Sequence, residues 1–335
     1  MYSIFQKALF SQDPEWSHDF TIKSLRCTQN TLLDMAYRQK VNDKPVKLFG
    51  LHFKNPLGLA AGLDKNGECI DAFAAMGFGY IEIGTVTPRA QSGNDKPRMF
   101  RLPQGQAIIN RMGFNNKGVD NLVANVKRAR YKGVLGINIG KNKDTPEEAA
   151  LSDYVYCLQK VYELASYVTI NISSPNTPGL RNLQHGNALN SLLTGLKTEQ
   201  AKLADKHKKY TPILVKIAPD LSESEIEKMA SALIANGIDG VIATNTTLDR
   251  QAVIGQLNAE QAGGLSGEVL CEKSQYVATK LAAALDGAIP MIGVGGIHDA
   301  VSAKARLDAG SSLIQLYTSL IYQGPKVIKQ IVNGL

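Results

Sequence analysis

Eight short, almost continuously apolar runs recur between residues 57 and 319, and this rhythm restricts the chain to very few folds. They are Leu57–Gly62, Tyr80–Val86, Val134–Gly140, Tyr167–Ser173, Ile213–Pro219, Gly240–Thr246, Met291–Ile297 and Leu313–Ser319. Runs of this length and character suit strands buried on both faces. Helical apolar spacing follows each run, clearest at 69–76, 117–130, 145–165, 189–204, 222–236, 271–285, 299–309 and 325–332. Ser222-Glu-Ser-Glu225 is a capping box at the start of the fifth of these. Eight strand–helix units in about 280 residues predict an α/β chain closed into a (β/α)₈ TIM barrel, with a doubly wound sheet as the alternative. Two longer excursions, 87–116 and 247–269, follow strand ends, where such a barrel builds its active site.

Residues 1–40 follow a different pattern. Ile4, Phe5, Ala8 and Leu9 recur at helical spacing, and Asp13-Pro14-Glu15 reads as a helix start with Asp13 as N-cap. Trp16, Phe20 and Leu25, then Leu32, Leu33, Met35, Ala36 and Tyr37, carry an apolar face onward. The expected division is an amphipathic helical extension at 1–40 and a barrel at 41–335, with Val46–Phe53 a short strand-like stretch turning near Gly50. The apolar face of the extension either docks on the barrel or meets a membrane or apolar ligand.

Composition excludes several classes. The start lacks a basic region and a long apolar core, so no secretory signal is expected, and no uncharged apolar run approaches the ~18 residues of a membrane span. The net charge of +7 leaves nucleic acid, an anionic surface or anionic small ligands open. The densest basic window, 197–209, carries five lysines against two acids with no interleaved aromatic residue, which suits a solvated helix face better than nucleic acid. Cys27, Cys69, Cys157 and Cys271 lie far apart without metal spacing; buried thiols and no metal are expected.

In a barrel the carboxyl ends of the strands converge. Here they carry Asp64 and Lys65, Thr85, Asn138, Asn171 with Ser174 and Asn176, Lys216, Thr244 with Asn245 and Thr246, Gly295 with Gly296, and Tyr317 with Thr318. Such a rim suits a large, hydrogen-bond-rich ligand such as a flavin ring or a nucleobase-like heterocycle. The glycines after the seventh run and the polar end of the eighth match a barrel phosphate site, whereas no dinucleotide fingerprint or P-loop is present. Lys65 and Lys216 could stabilise developing negative charge or form a Schiff base. Ser174 could be a base, a hydrogen-bond donor or a turn residue; a hydrolase role would need a histidine, and the only one nearby in sequence is His185.

Five stretches together carry a resemblance: Asn55-Pro-Leu-Gly-Leu-Ala-Ala-Gly-Leu-Asp-Lys-Asn66, Glu82-Ile-Gly-Thr-Val-Thr-Pro-Arg89, Asn110-Arg-Met-Gly-Phe-Asn-Asn116, Asn171-Ile-Ser-Ser-Pro-Asn-Thr-Pro-Gly179 and Gly263-Gly-Leu-Ser-Gly267. In this order they closely resemble the dihydroorotate dehydrogenases, in the quinone-dependent, membrane-associated class of bacterial type, nearly end to end. The resemblance implies oxidation of (S)-dihydroorotate to orotate in pyrimidine (UMP) biosynthesis, with FMN as cofactor and a quinone (ubiquinone or menaquinone) as acceptor. It implies Ser174 as the base. It implies FMN held by Ala61, Gly62, Leu63, Asp64, Lys65, Thr85, Asn138, Asn171, Lys216, Thr244, Gly267, Gly296, Tyr317 and Thr318. Substrate would be held by Lys65, Asn110, Arg111, Met112, Gly113, Phe114, Asn171, Asn176, Asn245 and Thr246. It further implies that residues 1–40 form a quinone tunnel in peripheral contact with the cytoplasmic face of the cell membrane, and that no nucleic acid is bound. The soluble class resembles this one in the barrel but uses a cysteine base and lacks the extension. Ser17, where alanine is common, and Glu268-Val269 depart from the family pattern.

Overall fold

The computed structural model describes residues 2–335, without the side chains of residues 3 and 4, so the expectation for Ile4 lies outside the described residues. Helices α1 (Tyr2–Phe10) and α2 (Pro14–Thr28) lead into a hairpin of β1 (Val46–Leu48) and β2 (Leu51–Phe53). Then come β3 (Leu57–Leu59), α3 (Ile70–Ala75), β4 (Tyr80–Val86), β5 (Met99–Leu102), β6 (Ala107–Asn110), α4 (Val119–Arg128) and β7 (Val134–Ile139). After them follow α5 (Ala150–Val161), β8 (Tyr167–Asn171), α6 (Gly186–His207), β9 (Ile213–Ile217), α7 (Glu223–Ala235), β10 (Gly240–Ala243) and β11 (Gly264–Gly267). The chain ends with α8 (Cys271–Leu285), β12 (Met291–Val294), α9 (Ala300–Asp308), β13 (Ser311–Leu316), α10 (Thr318–Gln323) and α11 (Lys326–Gly334).

Eight of these strands close a parallel barrel in the order β3-β4-β7-β8-β9-β10-β12-β13, and β13 pairs back onto β3. The eight apolar runs are therefore its staves. A doubly wound sheet is excluded because no strand is left at an edge. All of the runs but Tyr80–Val86 outlast their strands, by one to three residues, because the chain leaves the ladder to turn across the mouth. The Ser222 capping box on α7 is present, and α9 carries a second one, built from Asp299 and Ser302.

Inside the lower barrel, large side chains face small ones. Tyr80 pairs across strands with Gly58 and Tyr167 with Gly136, and a Cβ at either glycine would overlap the facing ring. The β1–β2 hairpin closes this end, with Phe53 buried edge-on against Tyr80 at 5.1 Å.

The two excursions that follow strand ends meet in space. β5 and β6 from the first and β11 from the second form one antiparallel sheet, Asn110 opposite Gly264. Four-residue strands more than 150 positions apart carry no local signal of pairing.

In the extension, Asp13 caps α2 by accepting from Trp16 N at 2.8 Å, with Pro14 in its first turn. Ser17 is buried; its hydroxyl donates to Leu9 O at 2.7 Å and Asp13 O at 2.8 Å, so this departure from the family pattern joins α1 to α2. The extension is built of short helices, in line with its sequence pattern: α1, then α2 ending at Thr28, then a separate single turn at Leu32–Ala36. The extension docks through polar pins, including Tyr2 Oη to Ile321 O (2.6 Å) and Gln6 Nε2 to Tyr322 O (2.7 Å). It also leaves Phe5, Trp16, Phe20, Leu32, Leu33 and Met35 exposed. All four cysteines are free; Cys69 and Cys157 are buried as expected, whereas Cys27 is exposed and Cys271 half-buried, so that expectation fails for two of them.

Gly136→Ala is expected to lower unfolding stability by about 1–3 kcal/mol, since the added methyl must displace the Tyr167 ring within a packed interior. Urea titration checks this, and an unchanged midpoint would mean that the ring moves freely.

Candidate active site

At the carboxyl ends of the strands lies a cavity. It is lined from β3 by Ala61, Gly62 and Lys65, from β4 by Thr85, and from the first excursion by Asn110, Met112, Gly113 and Phe114. The segment after β8 contributes Asn171, Ser174 and Asn176, and β9 contributes Lys216. The last strands add Thr244, Asn245, Thr246, Gly267, Gly296, Tyr317 and Thr318. Nineteen of the residues expected to hold FMN or substrate or to act as the base thus share one cavity.

Four do not line it. Leu63 and Asp64 turn away, and Asp64 is buried where its carboxylate accepts from Glu68 N and Cys69 N, each at 2.8 Å, bracing the loop that carries Lys65. Asn138 stands behind Thr85. Arg111 points outward: its guanidinium donates to Gln261 Oε1 and Pro97 O and lies over the Phe100 ring at 4.7 Å. These four shape the wall from behind.

A directional chain of hydrogen bonds crosses the mouth. Asn138 Nδ2 donates to buried Glu82 at 2.9 Å, and Asn138 Oδ1 accepts from Thr85 Oγ1 at 2.6 Å and Asn171 Nδ2 at 3.2 Å. Asn171 Oδ1 accepts from Ser173 Oγ at 3.0 Å, and Asn245 Nδ2 donates to Ser173 Oγ at 2.9 Å. Ser174 is buried, and its Oγ accepts from Asn176 N at 3.3 Å. His185 faces Glu225 at 3.7 Å instead, so no Ser–His pair exists among the described residues.

Lys216 is buried on β9 with no hydrogen bond or ion pair among the described residues. Burial lowers its pKa, against the opposing pull of the Glu82 carboxylate. Burial likewise pushes Lys65 down to about 8, countered by Asp19 and Glu15. Lys65 Nζ lies 3.4 Å from Nε2 of His18 on α2, so the extension touches this rim directly; nothing in the sequence pattern marks His18 as part of it.

Arg306 on α9 is the other residue sequence reasoning missed. It is fully buried, burial lowers its pKa to about 10, and it has no carboxylate partner among the described residues. It donates to Val294 O and Gly295 O, both at 3.1 Å, and its Nη2 reaches Ser274 Oγ at 2.6 Å. In a trans peptide N–H and C=O point oppositely, so these bonds turn the N–H groups of Gly295 and Gly296 toward the cavity that both residues line. The arrangement suits an anion.

The likeness to known proteins agrees with this geometry. A family profile described as Dihydroorotate dehydrogenase matches residues 44–335. The chain is 68% identical over 335 residues to the dihydroorotate dehydrogenase (quinone) of Pseudoalteromonas atlantica, and 59% identical over 335 residues to that of Aeromonas salmonicida, each covering 100% of both chains. Among solved structures, a DHODH from Eimeria tenella in complex with ferulenol aligns with a TM-score of 0.87 at 38% identity, covering 96% of this chain and 90% of that one. With the profile spanning the whole barrel and relatives matched along their full length, the chain belongs to the dihydroorotate dehydrogenase family.

Proposed function

We propose that the protein oxidises (S)-dihydroorotate to orotate in de novo pyrimidine biosynthesis, with FMN as cofactor and a quinone as electron acceptor. The observation that carries this reading is the convergence of Ser174, Lys65, Lys216 and the amides of Asn171, Asn176 and Asn245 on one cavity. FMN suits the residues present. Lys216 is a buried charge lacking a partner among the described residues, and the buried Gln315 Oε1 accepts no hydrogen bond. Gly295 and Gly296 present an anion cradle. Gly62 adopts φ +108°, and a Cβ there would stand 3.2 Å from the Tyr317 ring, in the space a flat ring system needs.

When bound, FMN supplies the acceptor for the hydride leaving C6 and carries the electrons on to quinone. Ser174 takes the C5 proton at its Oγ; because a serine hydroxyl is a weak base at neutral pH, the nearby cationic groups must favour its loss of a proton. The amides around Asn171 can match the alternating donors and acceptors of a dihydropyrimidine edge. Lys65 supplies positive charge for the substrate carboxylate, and Lys216 for negative charge that builds on the ring system.

Residues 1–40 act, in this reading, as the quinone-facing module, with the barrel at 41–335 as the catalytic one. The exposed apolar set at Phe5, Trp16, Phe20, Leu32, Leu33 and Met35 suits peripheral contact at the cytoplasmic membrane face. No described helix is long and apolar enough to cross a membrane.

Ser174→Ala should slow anaerobic flavin reduction by dihydroorotate by ~10²–10⁴ with FMN still bound; near-normal reduction in stopped flow would remove Ser174 as the base. Orotate affinity should fall as pH rises through about 8, because binding the anion then requires Lys65 to take up a proton. Calorimetric titration from acid to alkaline pH tests this, with Lys65→Met expected to flatten the profile. Replacing Leu32, Leu33 and Met35 together by serine should reduce turnover with quinone embedded in vesicles and spare turnover with a water-soluble short-tailed quinone. Equal loss in the two assays would count against membrane contact at this face.

A further inference from the structure

Glu15 is almost fully buried, although it lies on the extension and far from the cavity rim in sequence. It meets Arg98, itself buried, through two nitrogens: Nη2 at 2.7 Å and Nε at 3.1 and 3.2 Å from the carboxylate oxygens. Lys96 Nζ adds a second cation at 3.3 Å. The remaining Arg98 nitrogen, Nη1, donates to Ser92 O and Asn94 O, each at 2.6 Å. The turn 92–94 is wrapped around this guanidinium. Gly93 holds φ +81° there, and a Cβ on it would collide with Met112 O and approach Arg98 Nη1 to 2.7 Å.

The far side of the same turn reaches the catalytic segment. Asn94 Nδ2 donates to Arg111 O at 3.0 Å and to Asn176 O at 3.2 Å, and Asn176 Nδ2 donates to Asn110 O at 3.1 Å. Asn94 is therefore held by its carbonyl from Arg98 and holds, by its side chain, the segment two residues beyond Ser174. Without Glu15 the Arg98 guanidinium is a buried charge whose carboxylate partner is gone; it must move toward water, and the two carbonyls it holds lose their donor.

We propose that Glu15 is a positioning residue for the substrate pocket: through Arg98 and the turn at Asn94, the N-terminal extension sets the position of Asn176 and of the segment carrying Ser174. This rests on the assignment of dihydroorotate and orotate to that pocket. The helix that serves the electron acceptor then also tunes the pocket of the electron donor.

Calorimetric titration of the holoenzyme with orotate tests this on the parent, Glu15→Gln, Glu15→Asp, Asn94→Ala and the Glu15→Gln/Asn94→Ala pair. Glu15→Gln and Asn94→Ala should each weaken orotate about tenfold at unchanged flavin content, and the pair no further than either alone, because both cut one connection. Glu15→Asp, which keeps the charge, should recover most of the loss. The KM for a short-tailed quinone should stay at the parent value, whereas general loosening of the extension would raise it together with the orotate dissociation constant. Parent-like orotate binding by Glu15→Gln, or additive losses in the pair, overturns the proposal. If Glu15→Gln does not fold, parent-like binding by Asn94→Ala overturns it equally. A parent that binds no orotate would instead reject the substrate assignment, and this proposal with it.

Discussion

A single buried carboxylate organises the upper half of the barrel. Glu82 has no solvent exposure, and three donors converge on it: Asn138 Nδ2 (2.9 Å), Tyr167 Oη (2.9 Å) and Gln315 Nε2 (2.8 Å). Burying a carboxylate without such partners is costly, so β7, β8 and β13 are bound to present those donors. Because an ionised carboxylate only accepts, it also fixes the sense of everything attached to it. Asn138 must turn its nitrogen inward and its oxygen toward Thr85 and Asn171. Asn171 then donates toward β4 and leaves its own oxygen for Ser173 and Asn245. The same charge opposes the depression of the Lys216 pKa at the cavity wall.

The pocket above depends on parts that are remote in sequence. The sheet of β5, β6 and β11 joins the two excursions, which puts Asn110 and Gly267 at opposite ends of one ladder beside the cavity. α2 reaches the rim by His18 at Lys65, and the turn behind it by Glu15 at Arg98. Arg306 lies beneath the glycine turn after β12 and turns its N–H groups toward the cavity. The cavity wall, the glycine turn and the extension are thus braced by the buried guanidinium groups of Arg98 and Arg306, which make hydrogen bonds to backbone carbonyls. Such contacts hold only in one geometry.

Much of this was legible in residues. The eight apolar runs predicted the barrel because a strand buried on both faces needs an uninterrupted apolar sequence. The Ser222 capping box and the Asp13-Pro14 helix start were readable because capping is local chemistry over four residues. The polar strand ends pointed to a shared cavity because a parallel barrel puts all its carboxyl ends on one face. Other features were not readable. Asp64 and Arg111 sit in motifs among cavity residues, yet the backbone turns them away from the cavity, and only chain direction in three dimensions decides that.

The sequence by itself determined the barrel, the helical extension and the set of polar groups at the mouth, since each follows from periodicity or from short-range motifs. Only the tertiary structure decided which of those groups face the cavity, which brace it from behind, and that Glu15, His18 and Arg306 belong to the same arrangement. The reason is that a buried ion or amide is placed by partners tens to hundreds of residues away. Glu15 and Arg98 are 83 positions apart and Gln315 and Glu82 are 233, distances over which no local spacing carries information.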